Sequence, residues 1–579
     1  MPMANRDIAR VLYEIADLLE IKGENPFKVR AYQRAAQAIE NQAVPLSEMR
    51  GHRPFTEIPG VGASIAEKIE ELLATGASRF HQELLAKFPA SLADLLAIPE
   101  VGPRKAQLLH DQLGITSVDE LEQAAREGKL RALKGFGEKT EANILRGIER
   151  LRVHRARLPL AEAYPLAIEA VENLLLAAPI DRIEPAGSIR RMRDTIGDID
   201  LLVTSSDPNE VMRIFVGLPV VHEVLAQGST KTSILTAEGA QMDVRVVEPE
   251  SFGAALQYFT GSKDHNIRLR ELAVRRGLRL SEYGVFEVET EHRVAGVTEE
   301  EVYASLDLPW ISPELREDRG EIAAAQRGEL PHLVAVEDIK GDLHVHTNRT
   351  DGHHSIEEMA QTALGRGYKY IAICDHSRSV GMAGGLFEDD LLHHVDEIRE
   401  VNKRVPGIAI LAGSECDIRR DGSLDYPDEV LAQLDFVIAA VHSGFKMDTA
   451  SMTSRIIDAM HNAYVDALAH PTGRIIGRRD PYEVDVERLL TAAAELGVAL
   501  EINSYPDRLD LRDVHARRAK EAGVRVVINT DAHDCDHLRL ITYGVATARR
   551  GWLEPSDVLN TLSPARLRKA LRRNARRGA

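Results

Sequence analysis

GDLHVHTNRTDG (341–352) sets His344 and His346 one residue apart and follows them with Asp351. Alternate residues of a strand share a face, so both imidazoles point the same way at the end of a short apolar run. Six further strand-like segments follow, YIAICDH, IAILAGSE, FVIAAVH, VDALAH, VALEIN and VRVVINTDAH, and nearly all end in a residue able to ligate a metal. Helical stretches separate them, and this rhythm from Ile339 onward is that of a parallel α/β domain. The expected fold class is an α/β seven-stranded, distorted TIM-like barrel, which displays its chemistry at the C-terminal ends of its strands. The segments then deliver His344, His346, His376, Glu415, His442, His470, Asp531 and His533 to one rim, with Asp351 from the first loop. One histidine at a strand end is usually a satisfied core or surface residue. Nine imidazoles and carboxylates at successive strand ends are enough for up to three metals at about four to five ligands each. Cys374, Cys416 and Cys535 lie within two residues of these positions. They are either zinc-binding thiolates or, more simply, small packing residues under the rim.

Outward from the barrel, the chain has 579 residues, enough for roughly three or four domains of about 150. MPMANRDIAR carries no secretion or transit pattern, and no apolar run approaches the roughly 18 residues that span a bilayer, so a cytoplasmic location is expected. The net charge of −18 argues, taken alone, against a nucleic-acid partner. Three arginine-rich runs, 146–157, 267–280 and 566–579, are either solvated helix faces or phosphate contacts. In the first 155 residues short helices alternate with glycine turns. Ile8, Val11, Leu12, Ile15, Leu18 and Leu19 share one face of a first helix, with Asn5 as N-cap and Gly23 as stop. A near-repeat follows: IPGVGASIAEKI (58–69), IPEVGPRKAQLL (98–109) and LKGFGEKTEANIL (133–145). Each puts glycines (Gly60 and Gly62, Gly102, Gly135 and Gly137) just before a helix, where backbone N–H groups and the positive helix end can meet a phosphate. Helix-hairpin packing is the other use of such turns, and Glu100 stands where the second repeat wants glycine.

GSIRRMRDTIGDIDLLV (187–203) alternates so that Asp198 and Asp200 face one way while Ile199 and Leu201 enter the core. A neighbouring strand, QMDVRVV (241–247), offers Asp243 with the same alternation. Three carboxylates on one face repel unless divalent cations neutralise them, and such a triad can hold two Mg²⁺ ions. Gly187, Ser188, Arg190 and Arg191 form a donor-rich turn suited to a triphosphate. YFTGSKDHN (258–266) adds aromatic faces, a glycine turn at Gly261 and an amide. Residues 312–338, rich in charge and marked by prolines, read as a connecting segment.

The G-S-x-R-R, G-D-x-D and Y-F-T-G-S elements, in this order, resemble the family X DNA polymerases, to which DNA polymerase beta belongs. The resemblance covers roughly the first 310 residues and implies metal-binding Asp198, Asp200 and Asp243. It also implies triphosphate contacts at Ser188 and Arg191, a sugar wall of Tyr258 and Phe259, and a base or template contact at Asn266. Lys263 stands where the animal enzymes carry aspartate, and Gln241 where they carry arginine. The hairpins resemble helix-hairpin-helix DNA-binding motifs, and the first is similar to the polymerase beta lyase domain. Lys68 then falls on its Schiff-base lysine, a phosphate-binding lysine being the other reading. The barrel resembles the PHP domain, with all nine positions of its ligand pattern present, which implies a phosphoester hydrolase using Mn²⁺ or Zn²⁺.

The domains expected are a lyase-like helical domain (1–77), a helical DNA-binding domain (78–155), an α+β nucleotidyltransferase palm (156–250), a thumb-like nucleotide-selection domain (251–312), a linker (313–338) and the PHP domain (339–579). The expected function is short-gap filling on gapped or nicked DNA with deoxynucleoside triphosphates, by a monomer. The resemblance of the barrel further implies 3′→5′ exonuclease and abasic-site endonuclease activity. A small-molecule phosphatase with a DNA-tethering front half, or a non-catalytic DNA-binding scaffold, are the alternatives.

Overall fold

Strand Asp198–Thr204 carries Ile199, Leu201 and Val203 on one face and Asp198 and Asp200 on the other, and the rest of the central region is arranged about it. In the computed structural model, which describes residues 3–571 apart from 4, 41, 43–45, 52, 59, 99–100, 134 and 154–156, this strand lies within a five-stranded sheet. It pairs in parallel with Gln241–Val246, setting Asp200 directly opposite Asp243, and antiparallel with Arg182–Pro185. Strands Lys231–Thr236 and Val221–Gln227 extend the sheet on the far side of Gln241–Val246. The apolar face buries Ile199, Leu201, Val203, Met242 and Val244 beside Ala163, Ala167, Ala170 and Leu174 of helix Leu160–Ala177.

The chain divides into two compact units, Met1–Arg155 and Ala156–Ala579. Within the first, the periodic face of helix Asn5–Ile21 is buried throughout at Ile8, Val11, Leu12, Ile15, Leu18 and Leu19. Asn5, expected to cap this helix, is instead its first residue, and its Oδ1 accepts from Leu46 N (2.7 Å) at the start of another helix. A short polar side chain at a helix start serves whichever free N–H folding brings nearest.

In the second unit, helices Phe252–Thr260 and Lys263–Arg275 precede a three-stranded antiparallel sheet. Residues 313–338, the expected connecting segment, are packed into the unit. Pro313, Leu315, Arg316 and Glu321 are buried, and Glu321–Arg327 is helical. The segment's charges find partners on both sides, Arg316 with Glu299 (2.6 Å) before it and Glu314 with Arg549 (2.6 Å) after it. A charge-rich stretch is thereby a buried joint.

The barrel's seven strands run in sequence order and in parallel. Tyr370, Ala372, Leu411, Phe436, Ile438, Ala440, Ala499 and Val527 fill the inside, while Ile371, Ile373, Val437, Leu468, Leu500, Ile502 and Ile528 pack outward beneath the helices. Asn560 spans the seam between first and last strands, its Nδ2 donating to the carbonyls of Gly341 (3.0 Å) and Ile528 (2.8 Å). Among the described residues no helix is long and apolar enough to cross a membrane.

Candidate active sites

The two-residue alternation of each barrel strand sends its last inward side chains to one end. There His346, Asp351, His376 and His533 form one group, His344, His346 and Asp531 a second, and His376, Glu415 and His442 a third, the ligand atoms of each within 4.8 Å of one another. Eight of the nine expected residues fall in these groups. The ninth, His470, lies against them with Nε2 2.9 Å from Glu415 Oε1. His470 and Asp531 both hold positive φ, 27° and 54°, a backbone strain that non-glycine residues keep where the surroundings demand it.

The donor set fits cations. Among the described residues, His344 Nε2, both ring nitrogens of His346, His376 Nδ1 and His442 Nδ1 are buried and make no well-formed hydrogen bond, although carboxylate oxygens of Glu415 and Asp531 stand 2.9 Å from His376 Nδ1 and 3.2 Å from His346 Nε2, a cost proteins seldom leave unmet. Burial opposes charge on His376 and His442, yet Glu415 with Asp351 pushes the first up to about 10, and Glu415 with Asp417 pushes the second up to about 9. His346 goes the other way: burial and the neighbouring His533 and His376 bring it down to about 4. Glu415 and Asp531 are held well below the usual carboxylate range by the imidazoles around them, against their burial.

Residues not foreseen from sequence orient this set. Glu501 Oε1 accepts from His344 Nδ1 (2.9 Å) and from Asn529 Nδ2 (2.9 Å), and its Oε2 accepts from His470 N (2.8 Å). That fixes the tautomer of His344 and leaves Nε2 facing the cluster. Asn503 Nδ2 donates to Asp531 Oδ2 (3.0 Å), and Arg508 Nε lies 3.8 Å from the same oxygen. Asp375 takes Thr347 N (2.9 Å) and Thr350 Oγ1 (2.6 Å), pinning the loop that carries Asp351. The segment VALEIN contained both Glu501 and Asn503, an inward i, i+2 pair, and that alternation is the signal that could have found them. Among the described residues no cysteine falls in the three ligand groups, and burial pushes Cys374 and Cys535 up, and Cys416 up to about 12.

In the palm, burial and then the charges of Asp198 and Asp243 push Asp200 up to about 7. Asp243 is turned toward Lys231 Nζ (2.8 Å) and Gln241 Nε2 (2.9 Å), which hold it below its ordinary range against burial. Three carboxylates with one nearby ammonium are a donor set that divalent cations would complete. Gly187 (φ +63°) lies so close that an added Cβ would stand 2.6 Å from Asp200 Oδ2. Ser188 Oγ is buried and, among the described residues, has no hydrogen-bond partner. Arg191 is mostly buried: Nε donates to Glu317 Oε1 (3.0 Å) and Nη1 to the Thr260 carbonyl. Tyr258 and Phe259 meet edge to face at 5.2 Å, with the Arg245 guanidinium 4.6 Å over Phe259. Asn266 donates to the Tyr258 carbonyl (2.7 Å) and accepts from Gln257 (2.7 Å), so its amide is held toward the protein. Gly261 (φ +68°) precedes exposed Lys263, the first residue of its helix, which Ser262 caps.

The three glycine hairpins of the first unit repeat one geometry. Val61, Val101 and Phe136 are buried, and their N–H groups donate to the carbonyls of Ile58 (3.0 Å), Ile98 (3.0 Å) and Leu133 (3.1 Å). Gly60 and Gly135 adopt φ +88° and +90°, and helices begin at Ala63, Pro103 and Glu138, directly after Gly62, Gly102 and Gly137. Each arrangement aims a helix N-terminus outward at a place where an added Cβ on those last glycines would meet nothing within 4 Å. Lys68 Nζ donates to Ser64 O (3.0 Å) and Ser64 Oγ (3.1 Å) and lies 5.0 Å over the Phe80 ring, which Lys28 also approaches at 5.6 Å. Glu100, residues 154–156 of the arginine run and most of the basic tail lie outside the described residues.

Comparison with known proteins agrees with this layout. A helix-hairpin-helix domain matches residues 3–78, a SAM-like helix-hairpin-helix tandem 92–150, the DNA polymerase beta thumb 255–317 and the PHP domain 342–505. Fold and matches together define a polymerase beta-like chain joined to a PHP domain. The DNA polymerase/3′-5′ exonuclease PolX of Bacillus subtilis is 40% identical over 574 residues, 99% of this chain and all of that protein. A probable phosphatase of Caldanaerobacter subterraneus is 34% identical over 206 residues, 34% of this chain and 76% of its own length. A probable phosphatase of Acetivibrio thermocellus is 33% identical over 202 residues, 33% of this chain and 78% of its own. The chain belongs to the PolX family, family X DNA polymerases that carry a PHP domain.

Proposed function

We propose that this protein is a DNA polymerase that fills short gaps in DNA repair and degrades DNA 3′ ends at its barrel, acting as a monomer in the cytoplasm. The observation that carries it is the presence of two separate acid-lined sites, Asp198, Asp200 and Asp243 on paired parallel strands and the nine-residue rim of the barrel. Phosphatase relatives align with about a third of the chain, whereas the PolX relative aligns with nearly all of it, which favours the DNA enzyme over a small-molecule phosphatase.

In the palm, Asp198, Asp200 and Asp243 would hold two Mg²⁺ ions, which supply an activated 3′ hydroxyl and stabilise the leaving phosphate. Ser188 and the Arg191 guanidinium bind the triphosphate, while Tyr258 and Phe259 wall the sugar. Gly187 leaves room for Asp200 to turn inward. Asn266, tied to Gln257 and Tyr258, holds that wall rather than a base in the arrangement seen here. Gly261 turns the chain into the helix that Lys263 begins, on the nucleotide side of the palm.

At the barrel, His344, His346, Asp351, His376, Glu415, His442, His470, Asp531 and His533 would hold up to three Mn²⁺ or Zn²⁺ ions, which supply a water-derived nucleophile near neutral pH and polarise the phosphoryl oxygens. Glu501 keeps His344 in its ligating tautomer. The same chemistry serves abasic-site cleavage. The hairpins at Gly60, Gly62, Gly102, Gly135 and Gly137 grip the DNA backbone. Lys68, hydrogen-bonded to Ser64, contacts phosphate, and its alternative role in a lyase step requires the neutral amine. Primer extension and end degradation on a duplex with a one-nucleotide gap, with Mg²⁺ and Mn²⁺ compared, tests the reading. Neither product in either metal overturns it.

A further inference from the structure

The turn 187–194 and the barrel region share a buried ion cluster from which the candidate sites draw only Arg191. Arg550 ends helix Ile541–Arg550. Its Nη1 donates to Glu317 Oε1 (3.0 Å) and to the main-chain carbonyl of Arg191 (2.8 Å), and its Nη2 donates to Asp513 Oδ2 (2.8 Å). Glu317 receives Arg191 Nε on the same oxygen (3.0 Å) and Arg193 Nη1 on the other (3.4 Å). Asp513 also takes Arg319 (2.8 Å), and Asp194, at the end of the turn, takes Arg474 Nη1 (3.1 Å). Arg512 bears on both Asp194 and Asp513.

Six arginines, Arg191, Arg193, Arg319, Arg474, Arg512 and Arg550, thus meet four carboxylates, Asp194, Glu317, Asp510 and Asp513. A buried surplus of positive charge is costly unless an anion lies within reach. The turn above it carries Ser188 Oγ, buried and, among the described residues, unpartnered. Arg191 uses Nε and Nη1 on Glu317 and Thr260, and among the described residues its Nη2 makes no hydrogen bond. Two of its three nitrogens are therefore spent on aim and one is left to present.

We propose that Arg550 is a positioning residue for nucleotidyl transfer: anchored in the barrel region, it fixes Glu317 and the Arg191 backbone and so aims the Arg191 guanidinium at a nucleoside triphosphate in the palm. The inference rests on the polymerase reading of the palm and adds to it that the hydrolytic region is a structural part of the nucleotide site. Arg550 contacts no residue of the barrel's metal-ligand set in the bonds described above.

The test is single-nucleotide insertion by the full chain, with 3′-end degradation and thermal melting measured on the same preparations. Arg550→Ala is expected to raise the KM for the incoming nucleotide about tenfold or more, since charge-assisted hydrogen bonds are lost. The kcat should change less, and degradation should stay at the wild-type rate. Arg550→Lys keeps the charge but cannot fork between two carboxylates, so its KM should fall between. An unchanged KM in Arg550→Ala, with melting and degradation intact, overturns the proposal. If Arg550→Ala does not fold, Glu317→Gln decides: a comparable rise in KM supports the proposal and an unchanged KM overturns it. Wild-type extension is measured first. Its absence overturns the palm reading and this inference with it, whereas extension with unchanged KM in the variants overturns this inference alone.

Discussion

Asp200 shows what a single buried carboxylate imposes. Burial, Asp198 and Asp243 push it up to about 7, so the folded state prefers its protonated form. For a raised acid the destabilisation is absent below the unfolded value, grows as pH rises from there to about 7, and is constant above, on the order of a few kcal/mol. Asp200→Asn should therefore raise the melting temperature at pH 8 without divalent metal and diminish the further rise that Mg²⁺ gives. Equal Mg²⁺ shifts in both proteins contradict metal binding at Asp200. In the barrel, Glu501→Ala frees the His344 ring to turn. Metal content by elemental analysis should fall, with affinity down about 10–100-fold. Full occupancy in that variant removes Glu501 from the account. Lys68→Ala should spare extension and abolish any borohydride-trapped adduct with a 5′ sugar phosphate. A wild type that forms no adduct leaves Lys68 as a phosphate contact.

At the scale of elements, strand ends and hairpins were the legible part. A residue such as His376 or His442 follows an apolar run, and seven such runs in order specify both a parallel barrel and the end at which chemistry collects. Glu501 was legible only as an inward polar residue paired with Asn503 at i, i+2; its role needs the His344 ring it holds, which spacing does not encode. The burial of the connecting segment 313–338 was not legible for a related reason: Arg316 and Glu317 carry no sign of it in sequence, and only their partners Glu299 and Arg550 bury them. Asp243 was placed by alternation, but its engagement by Lys231 comes from strand pairing that spacing does not encode. The hairpins carry their own prediction. Gly60 and Gly135 hold φ near +90°, so valine at either should cost about 1–2 kcal/mol of stability and weaken gapped-DNA binding. Wild-type affinity with both substituted would reduce the hairpins to packing turns.

Across the whole molecule the acidic total hides a DNA-binding chain. Affinity for gapped DNA should exceed that for a small phosphomonoester and fall with salt, with a log–log slope of roughly −0.9 per phosphate neutralised. Affinity indifferent to salt contradicts phosphate gripping. Synthesis and hydrolysis are assigned to separate sites, yet Arg550, Glu317 and Arg191 join their supports. Substitutions at metal ligands should act independently, and substitutions in the joint should not. His344→Ala with His346→Ala should lower barrel metal content and end degradation while Mg²⁺-dependent extension persists. The most direct measurement is the reciprocal one, extension and 3′-end degradation by Asp198→Ala with Asp200→Ala on one gapped duplex. The account predicts extension at background and degradation at the wild-type rate, and loss of degradation in that variant, with its fold intact, contradicts the assignment of hydrolysis to the barrel.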